Sequence, residues 1–282
     1  MTTSVRIDAQ GNQHSTDEQE RQDYVFDSLW DKESERLRTN EAIWDPGTFE
    51  RFEALGTSPG WHCLEIGAGS GSAARALAEL VGPEGRVVAA DLETVRLVAD
   101  EQRGAFDVWE LDLREDELPP DTFDLVHARM LVQHLPDREA VIAKLVSTLK
   151  PGGLLFLEDT DSSTLFRSAS GEDFLQDVRA AGYGLMREAG HDPRGGHVDY
   201  HLALSSGLTD VSAEGRVVMV RGGSVQARHY QLWLEFMAPQ IVAEGLVTRE
   251  RIDEAIAEMG DPAHSWLSQV LISTVGRKPI QD

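Results

Sequence analysis

Through the middle of the chain, short apolar runs alternate with longer stretches in which apolar residues recur every three or four positions. Residues 61–66, 86–90, 106–111, 123–128 and 154–157 are the apolar runs. Between them, residues 72–81, 94–102 and 138–149 carry helical spacing, the last with Val141, Ile142, Leu145 and Leu149 on one side. Strands that are apolar throughout have both faces covered. Their alternation with helices predicts a parallel sheet with helices on each side.

The flanks read differently. Residues 18–55 are helical in pattern, with an apolar group at Tyr24, Phe26, Leu29 and Trp30 and a charged stretch through Arg38. Asp45-Pro46 reads as an N-cap with proline at the first helical position, and Gly56 as the stop. Residues 172–189, 225–243 and 249–259 read as helices, 209–220 as a strand or two, and 268–275 as a last strand. No Pro/Gly/Ser linker sets this tail apart, so the chain reads as one domain with appended elements. The expected division is a disordered segment over residues 1–16, N-terminal helices over 17–56, the core over 57–160, and the remaining helices and strands over 161–282.

The first strand runs into Glu65-Ile66-Gly67-Ala68-Gly69-Ser70-Gly71 and then a helix. Glycines in such a turn let the backbone bend tightly and approach a ligand. The dinucleotide fingerprint G-x-G-x-x-G would place its third glycine at 72, where this chain has Ser72. Two more acidic residues follow at successive strand ends: Asp91, then Asp112 within Glu110-Leu111-Asp112-Leu113. Ligands of open α/β sheets bind at the carboxyl ends of strands, and a carboxylate at the end of the second strand can take both ribose hydroxyls.

This E-x-G-x-G-x-G turn resembles motif I of the class I S-adenosylmethionine-dependent methyltransferases. Leu118-Pro119, Phe123-Asp124-Leu125-Val126, His134-Leu135-Pro136 and Leu149-Lys150-Pro151-Gly152-Gly153 resemble that family's run around strands four and five. The resemblance is good over residues 55–159 and is nearest to bacterial small-molecule enzymes of the quinone-type and secondary-metabolite tailoring groups. It implies an α/β, Rossmann-like, seven-stranded and mostly parallel sheet, with an N-terminal helical addition and a helical insertion before the last strand. It implies S-adenosyl-L-methionine as cofactor and S-adenosyl-L-homocysteine as product. The cofactor residues it points to are Glu65, Gly67, Ala68, Gly69, Gly71, Asp91, Leu92, Asp112, Leu113 and Arg129. Asp112 would meet the adenine amino group, with Leu92 and Leu113 on the ring's two sides. Arg129 stands either beside the cofactor carboxylate or in an ion pair.

For the acceptor, the sulfonium methyl is already electrophilic, so alignment and exclusion of water do most of the work. A phenolic acceptor, with a pKa of ~10, would gain from a base. His134, just after the fourth strand, is the base candidate; its alternative is packing at the start of the next helix. Tyr24, Trp30 and Trp44 are read as a lid or as ordinary helix packing, Glu158 as a substrate contact or a cap, and His127 as a strand residue. Tyr230, Trp233, Phe236 and Met237 share helical spacing, which means either core or the wall of an apolar acceptor site.

Charge narrows the partners. With 49 acidic against 26 basic residues the formal net charge is −23. Phosphate backbones are bound by neutralising them with Lys and Arg, so nucleic acid is not expected as substrate, and Arg216, Arg221 and Arg228 read as a solvated face. The single cysteine, Cys63, sits in an apolar run and reads as a buried, inert thiol. No metal ligand set, membrane span or signal core is read from the chain, so a cytoplasmic location is expected, with a small-molecule acceptor and association of copies through the N-terminal helices. Two other functions share the pattern: a cofactor-binding enzyme or regulator that does not methylate, and an NAD-dependent oxidoreductase, against which the glycine phasing argues.

Overall fold

The computed structural model describes residues 30–171 and 173–280, together with the backbone of residues 4–7 and 13–16. Tyr24, assigned to the lid, lies outside the described residues. The first sixteen residues, expected to be disordered, contain an antiparallel pair, β1 (Ser4–Ile7) and β2 (Gln13–Thr16); Val5 and Ile7 are β-branched and favour extended backbone.

A single helix, α1 (Glu33–Ala54), then leads to the sheet. Asp45-Pro46 was expected to start a second helix, yet Pro46 lies inside α1. The missing N–H costs one helical bond, and contacts around it hold the helix together. Arg216, from a distant strand, donates to the Trp44 carbonyl at 2.6 Å and lies over the Trp44 ring at 5.4 Å. Gly47 makes room for that guanidinium: a Cβ there would stand 1.8 Å from Arg216 Nη1. Arg216 is therefore a packing residue and not part of a solvated face.

The core follows in strand–helix order. β3 (His62–Ile66), α2 (Ser72–Val81), β4 (Arg86–Asp91), the short α3 (Val98–Gln102), β5 (Asp107–Glu110), β6 (Phe123–Arg129), α4 (Arg138–Thr148) and β7 (Leu149–Asp161) follow the expected order, with β7 extending well beyond the expected 154–157 at both ends. α3 is shorter than its expected helix because a 3-10 turn takes Thr94–Arg96. After β7 come α5 (Gln176–Glu188), α6 (Gly195–Ser205), β8 (Thr209–Arg216), β9 (Met219–Arg221), α7 (Val225–Ala243), α8 (Arg249–Gly260), β10 (Ser265–Leu267) and β11 (Val270–Arg277). The helix α6 was not foreseen. It opens on Gly195-Gly196, a poor helix signal, because α6 packs directly on β7: a Cβ on Gly196 would sit 2.6 Å from the Asp159 carbonyl.

The seven-stranded sheet has the order β5-β4-β3-β6-β7-β11-β8. The first five strands are mutually parallel, and β11 runs antiparallel to both β7 and β8. β8 and β11 pair antiparallel, and α7 and α8 lie between them in sequence, as the expected helical insertion before the last strand. β9 and β10 form a separate antiparallel ribbon.

Strand residues alternate between the two faces. Cys63, Leu125, Leu154 and Phe156 join α2 and Phe52 of α1 in one core. Leu64, Val126, Leu155 and Leu157 join α4 and α6 in the other. A third core, around Trp44, Phe166, Trp233 and Trp266, unites α1, α5, α7 and α8 above the carboxyl edge of the sheet. Cys63 is fully buried, and burial pushes its thiol up to about 12, which leaves it un-ionised and inert.

Candidate active site at the carboxyl edge of the sheet

The turn after β3 is shaped by left-handed glycines, with φ of +71° at Gly67, +57° at Gly69 and +85° at Gly71. The last also packs tightly, since a Cβ on Gly71 would meet Leu97 at 3.0 Å. Asp91, at the end of β4, ties the turn to the next strand. Its carboxylate accepts from the Gly69 N–H at 2.8 Å and from the Glu93 N–H at 3.0 Å. Each oxygen keeps a second lone pair. Burial raises the Asp91 pKa, and the two N–H bonds oppose that rise.

Above this turn lies a cavity of about 300 Å³. It brings together Glu65, Gly67, Ala68, Gly69, Asp91, Leu92, Asp112, Leu113, Arg129 and His134. Of the cofactor residues expected from sequence, Gly71 alone is not on its wall; it shapes the turn from behind. Leu92 and Leu113 both face the cavity, Leu113 nearly covered and Leu92 more open.

Two expected contacts are engaged within the protein. Arg114 holds both oxygens of Asp112, its Nε at 3.0 Å from Oδ1 and its Nη2 at 2.9 Å from Oδ2. An adenine amino group would therefore share Asp112 with a guanidinium. Arg129 donates to Asp45 at 2.7 Å and to Thr48 Oγ1 at 2.9 Å, so of its two readings the ion pair is formed, part-buried at the cavity wall.

Beneath the turn, three adjacent strands aim charged groups at α1. Sheet register sets Glu65 opposite His127, and Arg129 opposite Glu158. The His127 ring donates from Nδ1 to Glu65 at 2.5 Å and from Nε2 to Glu158 at 3.3 Å. Burial disfavours its charge, but the two carboxylates outweigh this and raise His127 to about 9. Glu158 also accepts from Thr48 and from Ser273, each at 2.6 Å. Burial opposes its ionisation, while His127, Arg129 and Ser273 bring it down to about 2. Glu158, offered as a substrate contact, is instead an internal counter-charge that pins α1 to the sheet. The reason is the face it occupies: it points under α1, away from the cavity.

The lid also needs correction. Trp44 is fully buried in the third core and does not reach the cavity. Trp30 packs edge-on against Phe236 at 5.3 Å, outside it. The residues of α1 that do cover the turn are Leu37, Asn40 and Glu41, with Glu41 accepting from Ser70 Oγ. Their polar or isolated character gave no apolar signal to read.

The far end of the cavity is lined by Leu165, Tyr183, Met186, His191, His229, Tyr230, Trp233 and Gln269. Tyr230 and Trp233 are thus wall, while Met237 is core. His134 lies at the join, its ring 4.7 Å from that of His191. Burial, with His191, Arg36 and Arg138 nearby, drives His134 well below the ordinary histidine range. His191 and His229 were missed in the sequence because they come from separate segments that only packing unites. The one signal was His229 beside Tyr230, one turn before Trp233.

Two family models match. One describes a methyltransferase domain, over residues 64–155; the other describes protein-L-isoaspartate(D-aspartate) O-methyltransferase, over residues 11–104. Residues 64–155 thus match a methyltransferase domain, over the span where the glycine turn and the strand-end carboxylates lie. The ubiquinone/menaquinone biosynthesis C-methyltransferase UbiE of Saccharophagus degradans is 30% identical over 126 residues, 42% of this chain and 49% of that protein. Methyltransferase str3 of Strobilurus tenacellus is 31% identical over 156 residues, 54% of each. The chain thus spans about half the length of the curated relatives it matches. A solved structure titled a putative sarcosine dimethylglycine methyltransferase, from Galdieria sulphuraria, shares the fold with a TM-score of 0.55 at 17% identity, covering 86% of this chain and 88% of that one. Among the described residues no helix is long and apolar enough to cross a membrane.

Proposed function

We propose that this chain transfers a methyl group from S-adenosylmethionine to an O, N or C atom of a small, partly apolar metabolite, in a natural-product or related biosynthetic reaction in the cytoplasm. The observation that carries the reading is the Asp91 carboxylate. It is fixed by the Gly69 N–H at the edge of a cavity whose far end is aromatic. Asp91 has lone pairs left for ribose hydroxyls, the glycine turn lets a ligand lie against backbone, and Leu92 and Leu113 offer apolar sides for a ring. The cofactor supplies the electrophilic methyl group; the protein's task is to align an acceptor and exclude water. The similarity to a ubiquinone/menaquinone biosynthesis C-methyltransferase supports a small-molecule acceptor. The acidic balance supports a partner other than nucleic acid, and association of copies through the N-terminal segment belongs to the same proposal.

Calorimetry should show S-adenosylhomocysteine binding and no comparable binding of NAD. In Asp91→Ala, two charge-assisted bonds worth roughly 1.5–3 kcal/mol each are lost with incomplete additivity, so affinity should fall about tenfold to a few hundredfold. NAD binding in place of S-adenosylhomocysteine, or unchanged affinity in a folded Asp91→Ala protein, would refute the proposal.

A further inference from the structure

The far end of the cavity is walled by carbon-rich groups whose own polar atoms are turned to one another. The Trp233 N–H points at Met186 Sδ at 3.4 Å, and the Tyr230 hydroxyl donates to Gln269 Oε1 at 2.7 Å. Two imidazoles stand against these walls with ring nitrogens that have no hydrogen-bond partner in the protein. His191 is 3% exposed and neither of its nitrogens is bonded. Its ring is nonetheless fixed, 4.7 Å from that of His134 and 5.8 Å from that of Tyr183. His229 is 8% exposed; it is bonded to the Arg36 backbone, and its Nδ1 has no partner.

A buried polar atom without a partner is costly, and proteins satisfy nearly all of them. Two such residues on one cavity wall, each held in place by ring packing, are the mark of groups that a ligand completes. Both rings are neutral. Burial, with Arg138 beside His191 and Arg36 near His229, brings them to about 4 and about 3. A neutral imidazole accepts at one nitrogen and donates at the other. Neither ring offers a charge to an anion. Arg36, the cation on this part of the cavity wall, is held by Glu33 through two bonds of 2.6 Å, and Arg138 by Asp192 at 2.9 Å.

We infer that His191 and His229 are the specificity-determining residues of the acceptor end, and that they select a neutral, flat acceptor of the phenol class. The aromatic walls take the ring faces. His229 Nδ1 accepts from a hydroxyl, and His191 supplies one further donor or acceptor. This rests on the methyltransferase reading and narrows its acceptor.

The test is binding of 2-naphthol, naphthalene and 2-naphthoate to the full chain saturated with S-adenosylhomocysteine, followed by calorimetry and tryptophan fluorescence. The hydroxyl should give 2-naphthol at least a tenfold advantage over both other probes, the ratio expected for one satisfied buried bond. In the double variant His191→Phe/His229→Leu, 2-naphthol should fall to within about threefold of naphthalene while S-adenosylhomocysteine affinity holds. His191→Gln, which keeps a donor and an acceptor, should retain part of the advantage. Equal binding of 2-naphthol and naphthalene, tighter binding of 2-naphthoate, no binding of any probe, or an advantage surviving in the folded double variant would each overturn the inference. The wild-type comparison stands even if a variant does not fold. Loss of S-adenosylhomocysteine binding by the wild type would instead sink the methyltransferase reading.

Discussion

A histidine near a reacting centre is a base only if its pKa suits the task, and His134 shows how environment decides this. From sequence alone it stands where an acceptor would lose a proton; as the base for a hydroxyl acceptor it would make activity fall below a pH of about 6.5. In the structure it is buried, with Arg36, Arg138 and His191 close enough to disfavour its charged form. Such a ring stays neutral far into acid and is a weak base. Turnover should therefore show no acid limb near pH 6.5 from this residue. His134→Ala should lower kcat by less than about tenfold, in keeping with a positioning role beside His191. Cofactor affinity should be unchanged. A loss of ~10²–10⁴-fold, with a wild-type acid limb at that pH, would restore His134 as the base. The same residue marks the limit of sequence reading. The place of His134 after β6 was legible, because strand ends converge on one edge of such a sheet. Its ionisation was not, because that depends on Arg36 and His191, some 60 to 100 positions away.

The elements of the core were legible because each strand is an apolar run on a fully covered sheet, and the glycine turn is fixed by backbone conformations that few other residues adopt. The elements above the sheet were less so. Pro46 usually marks a helix start, and here contacts from β8 carry α1 through it. Glu158 and His127 looked like a rim contact and a strand residue, yet the register of β3, β6 and β7 makes them one buried charge network under α1. That network gives α1 its anchor through Thr48, which donates to Glu158 and accepts from Arg129. Thr48→Val keeps the shape and removes the hydroxyl, leaving two buried charged groups each short of one bond. The expected cost is about 1–3 kcal/mol of stability by urea denaturation. Because Leu37, Asn40 and Glu41 cover the glycine turn from the same helix, S-adenosylhomocysteine affinity should fall with it. A variant as stable as wild type would mean that α1 is held by apolar packing alone.

Across the whole molecule, the buried titratable groups set a pH dependence whose sign follows from their shifts. His127 is raised to about 9 from an ordinary value near 6.5. Its contribution is complete below the unfolded value and is lost as pH climbs through 9. A second group acts in the same direction. Asp199, on α6, is 1% exposed and lies against the buried carboxyl of Asp159; burial and the neighbouring negative charge raise Asp199 far above the carboxylate range, so the two share a proton. Folding takes up that proton at neutral pH, which becomes less favourable as pH rises. Glu158, held down at about 2, works oppositely: its contribution is complete above the ordinary carboxyl value near 4.5 and is lost as pH falls toward 2. Net charge adds to the alkaline side of the balance, since at −23 the folded chain repels itself and mild acid relieves this. His134, His191 and His229, kept neutral by burial, oppose acid: their contribution is complete above the ordinary histidine value near 6.5 and is lost as pH falls below it. The sum places maximum stability at about pH 6.5, with a decline through pH 9. Asp199→Asn separates the contributions. The amide can donate to Asp159 without taking up a proton, so the variant should be more stable than wild type at pH 8 and should lose less stability between pH 6 and pH 9. Thermal and urea denaturation of both proteins from pH 4 to pH 10 is the measurement. A wild-type maximum above pH 8, or an Asp199→Asn protein that loses stability equally at every pH, would show that these buried groups do not govern the stability of the fold.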